Sequence, residues 1–143
     1  MVLTSTERHY VEHARIARLA TTDENGRPNV VPVCFALIEE DIVVALDEKP
    51  KDRQLSDLRR VRDIKANPFV AVMIDHYDDD WARLGWVQMR GRAEIVKPSN
   101  SEHHRAIEEL RMKYEPYADH ALEERPIIRI RPGHAVSWGD IEL

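Results

Sequence analysis

The chain has 143 residues, 43% of them hydrophobic and 33% charged, with a net charge of −5. That length fits one domain with one core, spanning residues 1–143, and the balance excludes a disordered chain. The acidic net charge argues against a dedicated nucleic-acid binder, which needs a basic surface, and the one cysteine, Cys34, excludes an intrachain disulfide and a thiolate metal site.

Cys34 sits in an apolar run and reads as a small buried hydrophobe, so the chemistry is not expected to rest on sulfur and the expected compartment is the reducing cytoplasm. The segment from Met1 to Glu12 is too polar for a signal peptide, which needs roughly 7–15 apolar residues in a row. No window approaches the roughly 18 apolar residues of a membrane span, so no membrane partner is expected.

In chain order, Thr4-Ser5-Thr6-Glu7 has the form of a capping box, which predicts a helix from there to Ala14. Ile16 to Thr22 reads as a strand. Asp23 to Pro28 is a turn, whose Asn25-Gly26 pair tolerates positive φ. Val30 to Ile38 is almost wholly apolar and reads as one strand with both faces buried. Pro32 inside it cannot donate to a ladder, which predicts a bulge or an unpaired edge. Glu39 to Asp41 turns the chain into a third strand, Ile42 to Leu46.

From Asp47 to Lys65 the chain is strongly charged. Leu55, Leu58, Val61 and Ile64 recur every three residues, which predicts a polar loop running into a short helix that Pro68 stops. Phe69 to Ile74 is a fourth strand and Asp75 to Asp80 an acidic loop. Leu84 to Val96 alternates cleanly. Val87, Met89, Gly91, Ala93 and Ile95 share one face, and Trp86, Gln88, Arg90, Arg92 and Glu94 the other. Ser99 to Glu102 is a second capping box, followed by a helix with His103, Ile107, Leu110 and Tyr114 on one face. Ile127 to Ile130 and Ala135 to Trp138 form a last strand, broken at Pro132-Gly133. The pattern is a mainly β, α+β fold. It has six strands joined by short turns, hence antiparallel, and curled into a barrel with short flanking helices.

The basic segment is the most informative for function. Lys49, Lys51, Arg53, Arg59, Arg60, Arg62 and Lys65 crowd into an acidic protein. Arg59 and Arg62 share a helix face, as do Arg62 and Lys65. Guanidinium forks suit phosphate oxygens. The interleaved Asp47, Glu48, Asp52, Asp57 and Asp63 equally fit a solvated charged helix. The three tryptophans, Trp81, Trp86 and Trp138, lie near strand ends, where they could bound a planar ring or pack a core or subunit interface.

The run Asp75, His76, Asp78, Asp79, Asp80 lacks the spacing of a calcium loop and is expected to be solvated rather than to hold a metal. His103 and His104 are adjacent on a helix and cannot serve one ion, and His103 reads as a packing residue. No dinucleotide, P-loop or nucleophile-elbow motif occurs.

The order of elements resembles the pyridoxamine 5′-phosphate oxidase-like superfamily of FMN-binding split barrels. The middle segment carries the most specific likeness. Leu46-Asp47-Glu48-Lys49-Pro50-Lys51, then Leu58 through Pro68, then Asp79-Asp80-Trp81 and Trp86-Val87, look like a branch of probable coenzyme F-420-dependent enzymes.

The resemblance implies a six-stranded antiparallel split β-barrel working as a homodimer, with cofactor sites between the subunits. It implies phosphate binding by Lys49, Lys51, Arg59 and Arg62, and Pro32 and Val33 facing the isoalloxazine ring. Trp86 and Trp138 would neighbour the ring or a small-molecule substrate. One departure is Gly85, where a bulky aromatic beside Trp86 is implied, and this is expected to enlarge the pocket.

The implied activity is hydride transfer from reduced coenzyme F-420 to a small conjugated acceptor. FMN-dependent oxidase or reductase chemistry is the alternative, as is non-catalytic binding of a flavin or haem-like ligand. Vitamin B6 oxidation is less expected, because the fuller set of substrate-phosphate residues is missing. His76 and Tyr77 are conceivable proton donors, but no catalytic acid, base or nucleophile is assigned.

Overall fold

The structure, a computed structural model, describes residues 1–46 and 58–142. Helix α1 spans Ser5–His13 and begins as its sequence predicts. The Thr4 hydroxyl accepts the Glu7 N–H at 3.1 Å and the Glu7 carboxylate accepts the Thr4 N–H at 2.9 Å. Strands β1 (Ala17–Thr22) and β2 (Pro28–Val33) form a hairpin. In its turn the Asp23 carboxylate accepts the N–H groups of Asn25 and Arg27, and Gly26 takes φ +77°.

The apolar run from Val30 to Ile38 is two strands rather than one, which brings the sheet to seven strands among the described residues. β2 ends at Val33, and β3 covers Ala36–Ile38. Tyr114 holds the corner between them. Its hydroxyl accepts the Phe35 N–H at 3.1 Å and donates to the Arg15 carbonyl at 2.9 Å. β3 and β4 (Asp41–Ala45) are packed on both faces, but β2 is an edge strand paired only to β1. Val30 is 62% exposed there, which corrects the expectation that the whole run is buried. Pro32 does lie on a sheet edge, where its missing N–H costs no ladder bond.

Helix α2 (Arg59–Ala66) turns Val61 and Ile64 inward, with Leu58 just ahead of them, and its outer side is charged. Strands β5 (Phe69–His76) and β6 (Gly85–Val96) follow. Along β6, Val87, Met89 and Ala93 are buried as the alternation predicts. Helix α3 (Ser101–Lys113) is capped by Asn100 instead of Ser99. The Asn100 side chain accepts the Glu102 N–H at 2.9 Å, which an amide one residue nearer the helix does directly.

Strand β7 (Ile127–Gly139) runs unbroken through Pro132-Gly133. Arg90 pairs with His134 and Gly91 with Pro132, so Gly133 is the extra residue of a β-bulge that absorbs the irregularity.

The sheet order is β2-β1-β5-β6-β7-β4-β3, with neighbouring strands antiparallel. It curls into a split barrel whose edges are β2 and β3. Two cores result. Leu19, Phe35, Ile42, Val44, Val72, Val87, Met89 and Ile130 fill the inside, closed at one end by α2. On the outside, α3 packs Ala106, Ile107 and Leu110 on Ala36, Val43, Ala45, Val96 and Ile127. That helix covers only the β3–β4 side. Among the described residues nothing covers the outer face of β2, β1, β5, β6 and the second half of β7, with Val30, Phe69, Val136 and Trp138 exposed on it. No helix among the described residues is long and apolar enough to cross a membrane.

Candidate functional site

Of the basic segment, Lys49, Lys51 and Arg53 lie outside the described residues. Arg59 and Arg62 stand on the solvent side of α2, as their spacing implies, and line a cleft of about 360 Å³ with Asp23, Glu24, Asp63 and Ala66. The two arginines differ in freedom. The Arg59 guanidinium lies 3.5 Å from the Asp63 carboxyl and 3.9 Å from Asp23. Arg62 has no ion pair among the described residues. Backbone N–H donation from Arg27 and Asn25, with the charges of Arg27 and Arg59, holds the Asp23 carboxyl below the usual carboxylate range.

Asp63 is only 2% exposed and accepts the Thr21 hydroxyl at 2.6 Å. Arg59 is thereby tied into the scaffold that positions α2 on β1, whereas Arg62 is exposed and meets no acidic group among the described residues.

Pro32 and Val33 lie at the end of the edge strand β2. Pro32 points outward, opposite Arg18 of β1, and Val33 is buried in the inner core. Trp86 and Trp138 are direct cross-strand partners on β6 and β7, on the outer face, with Trp138 54% exposed. The structure thus joins the two indoles, and separately Arg59 with Arg62, but not the groups to one another. Pro32 and Trp138 are four strands apart, roughly 19 Å across the sheet at about 4.8 Å per step.

Gly85 does not enlarge a pocket beside Trp86. It pairs with Gly139, and a Cβ on Gly85 would lie 2.5 Å from the Asp140 carbonyl oxygen. The glycine is there to let two backbones approach, which corrects the sequence expectation.

The acidic loop uses its side chains locally. Asp78 accepts the Asp80 N–H at 2.7 Å, and Asp80 accepts the Ala82 N–H at 3.1 Å, capping a short 3₁₀ turn over Trp81–Arg83. His76 links α1 to this loop. Its Nδ1 meets the Tyr10 hydroxyl at 2.7 Å and its Nε2 meets the Arg83 carbonyl. Both ring nitrogens are engaged, so the imidazole acts here as a brace. Burial, with the negative Asp75 nearby, pushes the Tyr10 hydroxyl up to about 12. His103 packs, as expected, buried under α3 with Nε2 on the Arg125 carbonyl at 2.5 Å.

The open outer face also holds a cleft of about 940 Å³ that runs over β1, β5, β6 and β7. Arg90, Arg92 and His134 stand on its rim. The alternation in Leu84–Val96 places Arg90 and Arg92 on one side of β6. It carries no signal for the small residues of β1 and β5 beside them, because those arrive through sheet register.

The sequence matches the family model described as pyridoxamine 5′-phosphate oxidase over residues 3–139. The chain belongs to this family. No curated protein matches it. Solved structures similar to this member of the pyridoxamine 5′-phosphate oxidase family include HutZ, the heme storage protein from Vibrio cholerae. That similarity is 19% identity over 100% of both chains, with a TM-score of 0.76. A conserved hypothetical protein, Rv2991 from Mycobacterium tuberculosis, is 22% identical over 97% of this chain and 86% of its own, also with a TM-score of 0.76. An F420 reductase is 26% identical over 94% of this chain and 98% of its own, with a TM-score of 0.63. At these identities HutZ and Rv2991 agree with this family member in fold.

Proposed function

We propose that this chain is a homodimeric, coenzyme F-420-dependent oxidoreductase that reduces a small conjugated acceptor. The observation that carries the reading is the open outer face of the sheet. Val30, Phe69, Val136 and Trp138 are large apolar side chains left in water on a face that α3 covers on one side only. A second copy laid on that face removes them from water at about 25 cal/mol per Å². It also supplies what one chain lacks. Pro32 and Trp138 are too far apart to border one flavin-sized ring within a subunit, whereas β2 of one copy can meet the tryptophan pair of the other.

In this arrangement Arg62, with Arg59 behind it and Lys49 and Lys51 preceding α2, grips the cofactor phosphate. The backbone at Pro32 and Val33 faces the ring, and Trp86 with Trp138 closes the site against water. The bound cofactor supplies hydride transfer to an electron-poor double bond, and the chain's own part is to bind, orient and desolvate. His76, with both ring nitrogens occupied, is a poor proton donor, so solvent is the better source. The likeness to an F420 reductase supports the deazaflavin over FMN.

The test is a tryptophan-fluorescence titration with F-420 and, separately, with FMN, on protein whose mass in solution is measured in parallel. Tight F-420 and weak FMN binding by a dimer supports the reading. FMN preference replaces it with a flavin oxidase or reductase. Binding of neither, with haem bound instead, replaces it with a carrier of a haem-like ligand.

A further inference from the structure

Helix α1 packs into the inside of the barrel. Tyr10 and Val11 are buried in the inner core, and the Tyr10 hydroxyl meets His76 at 2.7 Å. His9 and His13 stand on the other side of the helix, exposed. They are not on the outer sheet face that the proposed second copy covers, and neither belongs to the proposed cofactor site.

A spacing of four residues places two side chains one above the other on a helix. The two imidazole rings are 4.2 Å apart between centroids and tilted by 36°. Two nitrogens that share one tetrahedral ion at about 2.0–2.1 Å are roughly 3.3 Å apart, a spacing that a small side-chain rotation reaches. The tautomer of His13 is also set. Its Nδ1 lies 2.9 Å from the His9 carbonyl oxygen, which can only accept, so Nδ1 carries the proton. In the neutral ring Nε2 then keeps its lone pair. Metal-ligating histidines are oriented in this way, with the second ring N–H on a backbone carbonyl or a carboxylate. Neither ring is paired with a carboxylate among the described residues. His104, by contrast, lies 3.0 Å from Glu108, and His76 and His103 are held on carbonyl oxygens.

Residues 9–13 read His-x-x-Glu-His, the spacing of one class of zinc hydrolases. The surroundings differ from a hydrolytic centre. Glu12 stands close enough to Lys113 to act on its charge, and no group of three or more metal-binding side chains occurs among the described residues.

We infer that His9 and His13 form a bidentate, exchangeable site for a divalent transition ion that favours imidazole, such as Cu²⁺, Ni²⁺ or Zn²⁺. Nε2 of His13 and one ring nitrogen of His9 bind the ion, and water fills its other positions. Nothing around the pair imposes a geometry, so the ions rank by intrinsic affinity with Cu²⁺ tightest. Mg²⁺ prefers oxygen ligands and is not held. The second imidazole binds intramolecularly, so the pair holds the ion far better than either ring alone. The site does not depend on which cofactor the protein uses.

The experiment is calorimetric titration of the full, untagged chain with Cu²⁺, Ni²⁺, Zn²⁺ and Mg²⁺, with the imidazole nitrogens followed by NMR during the Zn²⁺ titration. Saturable binding with Cu²⁺ tightest and no Mg²⁺ binding is expected, with Zn²⁺ shifting the ring nitrogens of His9 and His13. His9→Asn and His13→Asn should each weaken binding at least roughly tenfold, and the double variant little further, because either loss destroys the chelate. His104→Asn should leave the affinity unchanged. Zn²⁺ should raise the melting temperature of the parent but not of the double variant. Absence of transition-ion binding overturns the inference, as do unchanged affinity in both single variants or Zn²⁺ shifts confined to other histidines. Two small, additive losses would mean separate surface imidazoles and overturn it as well.

Discussion

The Thr21 hydroxyl donates to the buried Asp63 carboxyl at 2.6 Å and so locks β1 to α2. Asp63 in turn lies 3.5 Å from the Arg59 guanidinium, so one buried carboxyl orients the arginine face of the helix. Thr21→Val keeps the shape and removes the donor. With the acceptor left buried, the cost should be about 1–3 kcal/mol. Urea unfolding should show a lower midpoint at an unchanged slope. An unaltered midpoint would mean that the contact contributes nothing.

Gly85 and Gly139 should tolerate no side chain. A Cβ on Gly139 would lie 2.1 Å from the Leu84 carbonyl oxygen, and its φ is +79°. Gly85→Ala and Gly139→Ala should each lower stability by at least about 2 kcal/mol, well above an ordinary surface change. Gly85→Trp, which restores the aromatic that the family likeness implies, should be worse still. Thermal unfolding of the three variants checks this. A Gly85→Trp protein as stable as the parent would mean that the β6–β7 approach is looser than described.

Lys113 gives a pH signature. Its amine is buried over the Phe35 ring, 3.8 Å from the centroid, and its Nζ has no hydrogen-bond partner among the described residues. Burial, with the positive Arg15 nearby, lowers it to about 8 from 10.5. Between those values the unfolded chain holds a proton that the folded chain has released, so stability rises with pH there. Below pH 8 both states are protonated and the burial cost is fully present. The parent should therefore gain stability relative to Lys113→Met as pH rises from 7.5 to 10. Parallel denaturation curves for the two proteins read this directly, and a constant difference across that range would refute it.

The proposed dimer should depend on the open face. Val30→Asp with Val136→Asp places charge on two apolar positions of the open face that are exposed in the single chain. Sedimentation velocity should show the parent as a dimer and the variant as a folded monomer. A monomeric parent would remove the two-subunit cofactor site.

The proposed phosphate grip should depend on free cations. Lys51→Ala with Arg62→Ala should weaken F-420 binding at least roughly tenfold, since a charge-assisted contact contributes about 1.5–3 kcal/mol. Arg62→Lys should restore part of the loss, because a point charge replaces a fork. Equal affinity in parent and double variant would place the phosphate elsewhere.

The residues themselves made much of the fold legible. The Thr4–Glu7 capping box, the Asn25-Gly26 turn, the period of three at Leu58, Val61 and Ile64, and the alternation from Trp86 to Ile95 are local signals, and each element formed where its signal lies. Errors came where a distant contact intervened. Nothing near Cys34 says that the chain must turn there, because the hydrogen bonds that hold the corner come from Tyr114. Val30 looks like core, because an apolar strand residue reads the same whether or not anything packs on its face of the sheet. Gly85 reads as missing bulk until its neighbour across the ladder, Gly139, is known.

For the site, the sequence alone determined the cationic character of the α2 region, the aromatic strand ends and the side of β6 on which Arg90 and Arg92 stand. These follow from residue type and from periods of a few residues. The tertiary structure alone decided that Asp63 and Asp23 engage Arg59 while Arg62 meets no acidic group among the described residues, that the two tryptophans meet, and that alanines from β1 and β5 lie beside Arg90. Those outcomes depend on strand order and register, which join residues tens of positions apart. Local sequence carries no force that specifies such pairings until the whole sheet has closed.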